Sequence, residues 1–376
     1  MISFSNLSRA RHAAWMTLGL ITASALAQSP VAQPTAPPQS PALNQVQTPV
    51  QTSVQTPVQT SVQSQGSQTA PAAAPCAQFE QTVARYQTRF QSRMLGWSAK
   101  ALSDVKAKTA FYPFSGPDVV TLMSLYPNAD HYLMVADQTP DYAQVDTPVP
   151  AAGRVAGTAF ECQMLAGFAQ RGYYLTNDLI GKNGPKPRFL TLLHHNIAFA
   201  GATIESQQVL HLSADGTLSV RQAGQPGHGV RFALRNRDGR AVMLDYLRID
   251  LSNPGIEKTP GALQVMSQYA AEAVLLKSAS HLLQKPYFST LADVLVRQAR
   301  WITQDETGLD IGPLSGQFEL SLYGKFVAAH PLWAANESSR RLAQYYATRT
   351  RNEDLPFYLG YEKVGGSILM VGRRKP

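Results

Sequence analysis

The chain has 376 residues, of which 44% are hydrophobic and 15% charged, and its formal net charge is +8 at pH 7. Two of the positive charges, Arg9 and Arg11, precede an apolar N-terminal run, and the other basic residues are scattered. A nucleic-acid-binding protein needs a concentrated basic face, so the sequence argues against a nucleic-acid partner. The positive charge is compatible with loose association with an anionic envelope surface.

The first residues have the pattern of a secretory signal peptide. Arg9 and Arg11 are followed by an apolar or small-residue run over 13–25 and by small residues at 25 and 27. This pattern predicts a signal peptide over 1–27, cleaved before Gln28. The run is shorter than the roughly 20 residues of a spanning helix, so we expect no transmembrane segment in the mature chain. The protein is therefore predicted to be exported, to the periplasm or the medium.

Residues 28–75 form a low-complexity linker. They contain no charged residue, and TPVQTSVQ occurs twice in tandem, at 48–55 and 56–63. Proline recurs too often for a helix, and few large side chains are available to bury. We therefore expect a disordered Pro/Gln/Thr spacer.

Residues 76–376 are long enough for a single α/β domain. They contain the chain's two cysteines, Cys76 and Cys162, which are too few for a cysteine-rich metal site. In an oxidising compartment they form either one disulfide or two separate buried thiols. Their separation in space cannot be read from the sequence, so both interpretations stay open.

The domain begins with a predicted amphipathic helix over 79–97. The stretch that follows organises the rest of the chain. It reads as an apolar strand (110–114), a turn (115–118), a helix (119–126) and a second apolar strand (132–137). This strand–turn–helix–strand unit is typical of the opening of a nucleotide-binding α/β sheet.

The middle of the domain alternates loops, one helix and β-hairpins. Residues 142–187 are loop-rich, with a helix expected around 155–170, and the apolar run at 188–200 predicts a strand. Two hairpins are expected, at 209–220 and at 230–250, because each has an Asp-Gly turn between β-rich runs. These insertions make the expected sheet mixed.

The last third predicts further helices and strands. Helices are expected at 261–272, 288–300 and 337–350, strands at 273–283 and 301–303, and two closing strands around Gly365 and Gly366. A late helix followed by an antiparallel hairpin at the sheet edge resembles the ending of the S-adenosylmethionine-dependent methyltransferase fold. The predicted fold is therefore α/β, with a Rossmann-like (methyltransferase-type) mixed sheet and β-hairpin insertions.

The turn after the first strand is the first candidate ligand site. A turn that feeds a helix N-terminus is expected to present unpaired backbone N–H groups to a cleft. Gly116 permits close approach, Ser115 is polar, and Asp118 either caps the helix or accepts from a ligand. Dinucleotide and methyltransferase loops use two or three glycines here, and this turn has one, so the cofactor stays unassigned.

Asp137 ends the second predicted strand, where nucleotide-binding folds place an acid that accepts from ribose hydroxyls. Ordinary turn chemistry at a strand end is the alternative. His194 and His195 lie in a predicted strand and would face opposite sides, so they cannot both bind one metal ion. We therefore predict no metal site.

Ser280 and His281, in the polar stretch 278–281, lie at the end of one later predicted strand, and Asp305 follows another. If those strands are parallel, their polar ends open on the same rim as the Ser115–Asp118 turn, as the groups of a binding site do. A Ser–His–Asp hydrolase can be drawn from Ser115 or Ser280 with His281 and Asp305, but no spacing supports that assignment.

The motifs FYPFSGPD, SASHLL and ITQDETG resemble those of a family of uncharacterised exported bacterial proteins. Members of that family share a YPFSGPD signature, a serine-rich strand ending in histidine, and a Gln-Asp-Asp-Ser-Gly stretch. The resemblance extends over about 109–310. It implies candidate positions and no reaction.

Together these patterns predict an exported, monomeric protein that binds a small polar or nucleotide-like ligand in a Rossmann-like cleft. One alternative is a non-catalytic interaction module whose cofactor site has decayed, and a hydrolase is the other. A working site should be concave, whereas a decayed site should be plugged by Tyr, Phe or Leu. The substrate and the reaction are not predicted.

Overall fold

A computed structural model describes residues 77–149, 157–331, 334–350, 353–361 and 366–376. All of these residues belong to one unit, Gln68–Pro376. The expected signal peptide, the linker and Cys76 lie outside the described residues.

One sheet of ten strands organises the described residues. The strands are β1 Thr109–Pro113, β2 His131–Ala136, β3 Thr203–Leu212, β4 Leu218–Val220, β5 Gly229–Arg235, β6 Ala241–Arg248, β7 Ala273–Leu276, β8 Trp301–Gln304, β9 Phe318–Gly324 and β10 Ile368–Arg374. Their order in the sheet is β4-β3-β5-β6-β2-β1-β7-β8-β10-β9.

The sheet has a parallel centre with antiparallel additions at both edges. Strands β6, β2, β1, β7 and β8 are parallel to their neighbours in this series. Strand β10 runs antiparallel between β8 and β9, and the β3–β4 and β5–β6 hairpins extend the other edge. The α/β, Rossmann-like class with a mixed sheet and hairpin insertions is thus confirmed, and the order β6-β2-β1-β7-β8-β10-β9 is that of a methyltransferase-type sheet.

Helices cover both faces of the sheet. They are α1 Ala77–Tyr86, α2 Ser92–Ala101, α3 Val119–Leu125, α4 Tyr142–Val145, α5 Ala159–Arg171, α6 Thr176–Leu179, α7 Phe189–Phe199, α8 Asn253–Glu257, α9 Ala262–Ala270, α10 Ser289–Gln298, α11 Ile311–Gln317 and α12 Glu337–Thr348. A π-helical segment, Gln87–Gln91, joins α1 to α2, and 3₁₀ helices span Ser278–Gln284 and Pro286–Phe288.

Strand β1 shows why a core lies on each side of the sheet. Its successive side chains point to opposite faces, as in any strand. Ala110 and Tyr112 enter the core shared with α2, α3, α5 and α7, whereas Phe111 enters the core shared with α9 to α12. Because both faces are covered, a central strand such as β1 reads as a continuous apolar run.

The strand predicted at 188–200 is wrong, because these residues form helix α7, Phe189–Phe199. Nearly every side chain of α7 is buried, so the helix lacks the polar face that would show a period of 3.6. His194 and His195 are therefore adjacent on a buried helix. His194 Nε2 lies 2.7 Å from Gln207 Oε1, and burial lowers the pKa of His194.

Two other boundaries differ from the prediction. The strand expected at 273–283 ends at Leu276, and the 3₁₀ helix Ser278–Gln284 follows. The closing pair is not a local hairpin around Gly365 and Gly366: β10 pairs with β9, a strand that the sequence did not predict. Gly365 lies outside the described residues.

Cys162 lies buried in α5 and takes part in a disulfide bond. The expected partner, Cys76, is outside the described residues, so that pairing stays a prediction. In the part of the chain that the structure covers, no helix is long and apolar enough to cross a bilayer.

Candidate functional site

A cavity of about 300 Å³ lies where β1, β2, β6 and β7 end at their carboxyl termini. Open α/β sheets bind ligands at this edge, because the loops that follow the strands diverge there. Six aromatic side chains contribute to its walls: Tyr112, Phe114, Tyr173, Tyr174, Phe288 and Tyr361.

The β1–α3 turn forms one wall of the cavity through Phe114, Ser115, Gly116 and Asp118. Two of its N–H groups are bonded within the protein and are not free for a ligand as expected. Ser115 N donates to the Val135 carbonyl at 3.2 Å, and Asp118 N donates to the Ser115 carbonyl at 3.3 Å.

Asp118 caps helix α3 and also forms a buried ion pair. Its Oδ1 accepts from Thr121 N at 3.0 Å, while its Oδ2 accepts from Lys277 Nζ. The Asp118 and Lys277 side chains are only 3% and 1% exposed. The predicted capping role of Asp118 is thus observed, and the residue also lines the cavity, where its alternative role as a ligand acceptor stays a prediction.

Lys277 ties three elements together at the base of the cavity. It directly follows β7, and its Nζ donates to Asp118 of the β1–α3 turn, to Thr121 Oγ1 of α3 at 3.1 Å and to the Gly172 carbonyl after α5. The ammonium also lies 5.6 Å from the centroid of the Phe168 ring. These contacts use every donor of the ammonium group, so a buried charge is fully compensated.

The backbone is strained on both sides of the cavity. Phe114 (φ +57°) and Ser278 (φ +56°) are the only non-glycine residues with positive φ within the described ranges. They follow the neighbouring strands β1 and β7, and both line the cavity. Such strain persists only where the surrounding structure enforces it, and it concentrates at functional sites.

Asp305 holds the strained turn at Ser278. Its Oδ2 accepts from Ser278 N at 2.9 Å, and its Oδ1 accepts from Thr307 N and Oγ1 at 2.8 and 2.6 Å. Burial raises the pKa of Asp305 despite these hydrogen bonds. The Ser278 hydroxyl is itself buried and has no hydrogen-bond partner among the described residues.

The seven predicted site residues fall into two groups. Ser115, Gly116, Asp118 and Asp137 line the cavity. Ser280, His281 and Asp305 lie behind the lining, at the 3₁₀ helix or after β8. The structure therefore brings four of the seven predicted residues together at the cavity and places the other three behind its lining.

The three residues behind the lining support the turn after β7. Ser280 Oγ accepts from Lys277 N at 2.9 Å and donates to the Lys277 carbonyl at 3.2 Å. His281 Nδ1 lies 3.2 Å from the Ser278 carbonyl oxygen. The hydrogen bonds of Ser280 and Asp305 thus go to Lys277, Ser278 and Thr307, and the geometry gives no support to a serine–histidine–carboxylate chain.

Two exposed carboxylates stand at the cavity near the ends of β2 and β6. Asp137 is 67% exposed, and its Oδ1 lies 3.2 Å from Arg248 Nη2. Asp250 Oδ1 accepts from Ser252 N at 3.0 Å. Asp137 thus occupies the position where nucleotide-binding folds place a ribose-binding acid.

The sequence analysis missed Lys277, Tyr112 and Phe114 as cavity residues. Lysine within the apolar run AVLLKSAS was the available signal, because lysine is almost never fully buried without a partner. Tyr112 OH lies 3.4 Å from Asp118 Oδ2, and burial raises the pKa of Tyr112 well above its ordinary value.

Within the described ranges, no group of three or more His, Cys, Asp or Glu side chains is placed to hold a metal ion. No protein-family model and no curated protein sequence matches the chain. The interpretation of the site therefore depends on its own geometry.

Proposed function

We propose that this protein binds a small polar molecule of nucleoside size in the cavity at the carboxyl edge of the sheet. The observation that carries the proposal is the place of the cavity: it opens at the ends of four parallel strands, with an acid after β2. Its volume is at the lower end of the roughly 300–1,000 Å³ of small-molecule pockets. In this proposal, the protein binds its ligand as an exported monomer of the cell envelope.

The lining suits a ligand with a flat ring and hydroxyl groups. Tyr173 and Tyr361 lie against each other with ring centroids 4.7 Å apart, and Phe114 and Phe288 are 5.6 Å apart. Aromatic faces bind planar rings, and the exposed carboxylate of Asp137 accepts from hydroxyl groups. The proposal is for binding, and it includes no reaction.

The alternative is an interaction module with a decayed site, in which aromatic side chains plug the cleft. Aromatic rings do border this cavity, but they leave an open volume between them. The retained strain at Phe114 and Ser278 also favours a working site, because strain without use is readily lost by substitution.

Thermal shift and calorimetry with adenosine, uridine and a panel of sugars test the proposal on the full chain. Ala279 lines the cavity, so Ala279→Phe should fill it and abolish binding. Ser219→Ala, at an exposed position of β4, is the control and should bind as the wild type does. Ligand stabilisation equal in wild type and Ala279→Phe, or absent across the panel, would reject the cavity as the site.

A further inference from the structure

In a sheet of this type, the helix that follows the first strand is where a phosphate group is usually held. Free N–H groups and the helix dipole both favour an anion there. In this protein the dipole faces the carboxylate of Asp118, which accepts from Thr121 N. Pro117 has no N–H to offer, and Val119 N donates to the Pro117 carbonyl at 2.8 Å.

The buried lysine does not restore an anion site. Among the described residues that line the cavity, Lys277 is the only cation. Its ammonium donates to Asp118, Thr121 and Gly172, so no donor is left for a ligand. The Asp118 carboxylate therefore accepts hydrogen bonds both from the N-terminus of α3 and from the Lys277 ammonium.

The remaining charges of the lining are negative. Asp137 and Asp250 stand at the cavity; Asp137 is paired with Arg248, whereas Asp250 has no ion pair among the residues that the structure describes. The cavity is thus acidic although the chain carries a net charge of +8. A phosphorylated ligand would be repelled by the exposed carboxylate of Asp250, whereas a neutral or cationic ligand would not.

We infer that the cavity selects an unphosphorylated ligand, neutral or positively charged, and that the Asp118 carboxylate occupies the place of a phosphate. This inference rests on the proposed function, and it narrows the ligand from nucleotide-like molecules to nucleoside-like ones. We expect the charge of Asp250 to disfavour a dinucleotide or a nucleoside phosphate relative to the unphosphorylated nucleoside.

Adenosine and AMP form a matched pair of probes, because they differ only in the phosphate. Calorimetry on the wild type should find adenosine bound at least about tenfold more tightly than AMP. Equal or tighter binding of AMP would overturn the inference and leave the proposed function standing. If the wild type binds neither adenosine nor AMP and does not respond to pyrophosphate, a nucleoside-like ligand is rejected. The variants below then test the charge selection.

Pyrophosphate tests the same point without a nucleoside. It should not raise the Tm of the wild type above that of Ala279→Phe, and a rise specific to the wild type would overturn the inference. In Asp118→Asn the ammonium of Lys277 loses its carboxylate, so pyrophosphate should raise the Tm of this variant. A folded Asp118→Asn that ignores pyrophosphate would contradict the role given to Asp118.

Asp250→Asn provides a second variant, because its side chain is exposed and its substitution should not prevent folding. It should narrow the preference for adenosine over AMP, or give a pyrophosphate response where the wild type has none. Asp293→Asn, an exposed carboxylate on α10 outside the cavity lining, is its control. Identical behaviour of these two variants would count against the electrostatic selection.

Discussion

Asp245 and Asp305 are both completely buried, one in the middle of β6 beneath α9 and the other after β8 behind the cavity. Asp245 accepts two hydrogen bonds of 2.7 Å from Arg231 and lies 2.9 Å from His131 Nε2. Asp305 accepts only from neutral donors, on Ser278 and Thr307.

The pKa values of the two carboxylates move in opposite directions. Burial raises the pKa in both cases. At Asp245 the hydrogen bonds from Arg231 and His131 outweigh burial, and the pKa is lowered. At Asp305 the hydrogen bonds from Thr307 and Ser278 do not, and the pKa is raised.

The surroundings of Asp245 therefore stabilise its buried charge, whereas those of Asp305 leave its buried charge energetically unfavourable. Beneath α9, the buried charge of Asp245 has a guanidinium and an imidazole beside it. Behind the cavity, among the described residues, Asp305 forms no ion pair, the backbone of Ser278 is strained and the Ser278 hydroxyl has no hydrogen-bond partner. Such costs are retained where function requires them.

The largest effect is expected from Asp245→Asn, which leaves the half-buried guanidinium of Arg231 without its counter-ion. We expect the free energy of unfolding to fall by about 3–5 kcal/mol. Chemical denaturation measures this loss. Glu319→Gln, which breaks an exposed pair with Arg373, should cause no measurable change. Similar losses of unfolding free energy in Asp245→Asn and Glu319→Gln would refute the expected difference between the buried and the exposed ion pair.

Asp305→Asn should cost less, about 1–2 kcal/mol. The amide oxygen still accepts from Thr307, but the amide nitrogen cannot accept from Ser278 N. The same denaturation experiment applies. A loss as large as that of Asp245→Asn would mean that the charge of Asp305 is essential to the fold.

Ser278→Gly should stabilise the protein by about 1 kcal/mol, because glycine adopts positive φ without strain and the unpartnered hydroxyl is removed. Ser219→Gly, in β4, is the matched control and should destabilise the protein, since glycine weakens a strand. Lower stability of Ser278→Gly than of wild type would show that the turn is not strained.

The pH dependence of Tm should show the two carboxylates with opposite signs. The lowered pKa of Asp245 contributes stability above the unfolded pKa of about 3.9, and this is lost as the pH falls through the folded pKa. The raised pKa of Asp305 contributes stability below about 3.9, and this is lost as the pH rises through the folded pKa.

Compared with wild type, Asp245→Asn should therefore lose less stability on acidification, and Asp305→Asn should lose less as the pH rises from the acid side. Parallel Tm–pH curves for the two variants would contradict the assigned directions of the pKa shifts.

The sequence was sufficient to predict β1, α3 and β2, because strands buried on both faces and a Pro-Asp helix start leave clear local patterns. It was insufficient for α7, where a helix buried all round has no polar face to show its period. Strand β9 was missed although its apolar and polar residues alternate with the period of a half-buried strand.

For the site, the turn after β1 and the acid after β2 were predicted from their places at strand ends. Lys277 was not, because it was expected to lie inside the predicted strand at 273–283. A lysine inside a strand has no reason to meet Asp118, a residue distant in sequence. Only the observed end of β7 at Leu276 places Lys277 at the cavity.

The strand order also sets a condition on folding. Strand β10 lies between β8 and β9 although it follows both along the chain. Until β10 inserts, β8 has an unpaired edge and β9 has no partner in the sheet, so neither strand can complete its hydrogen bonds. Exposed strand edges promote association between chains. Refolding yield should therefore depend on protein concentration, because insertion of β10 competes with pairing between molecules.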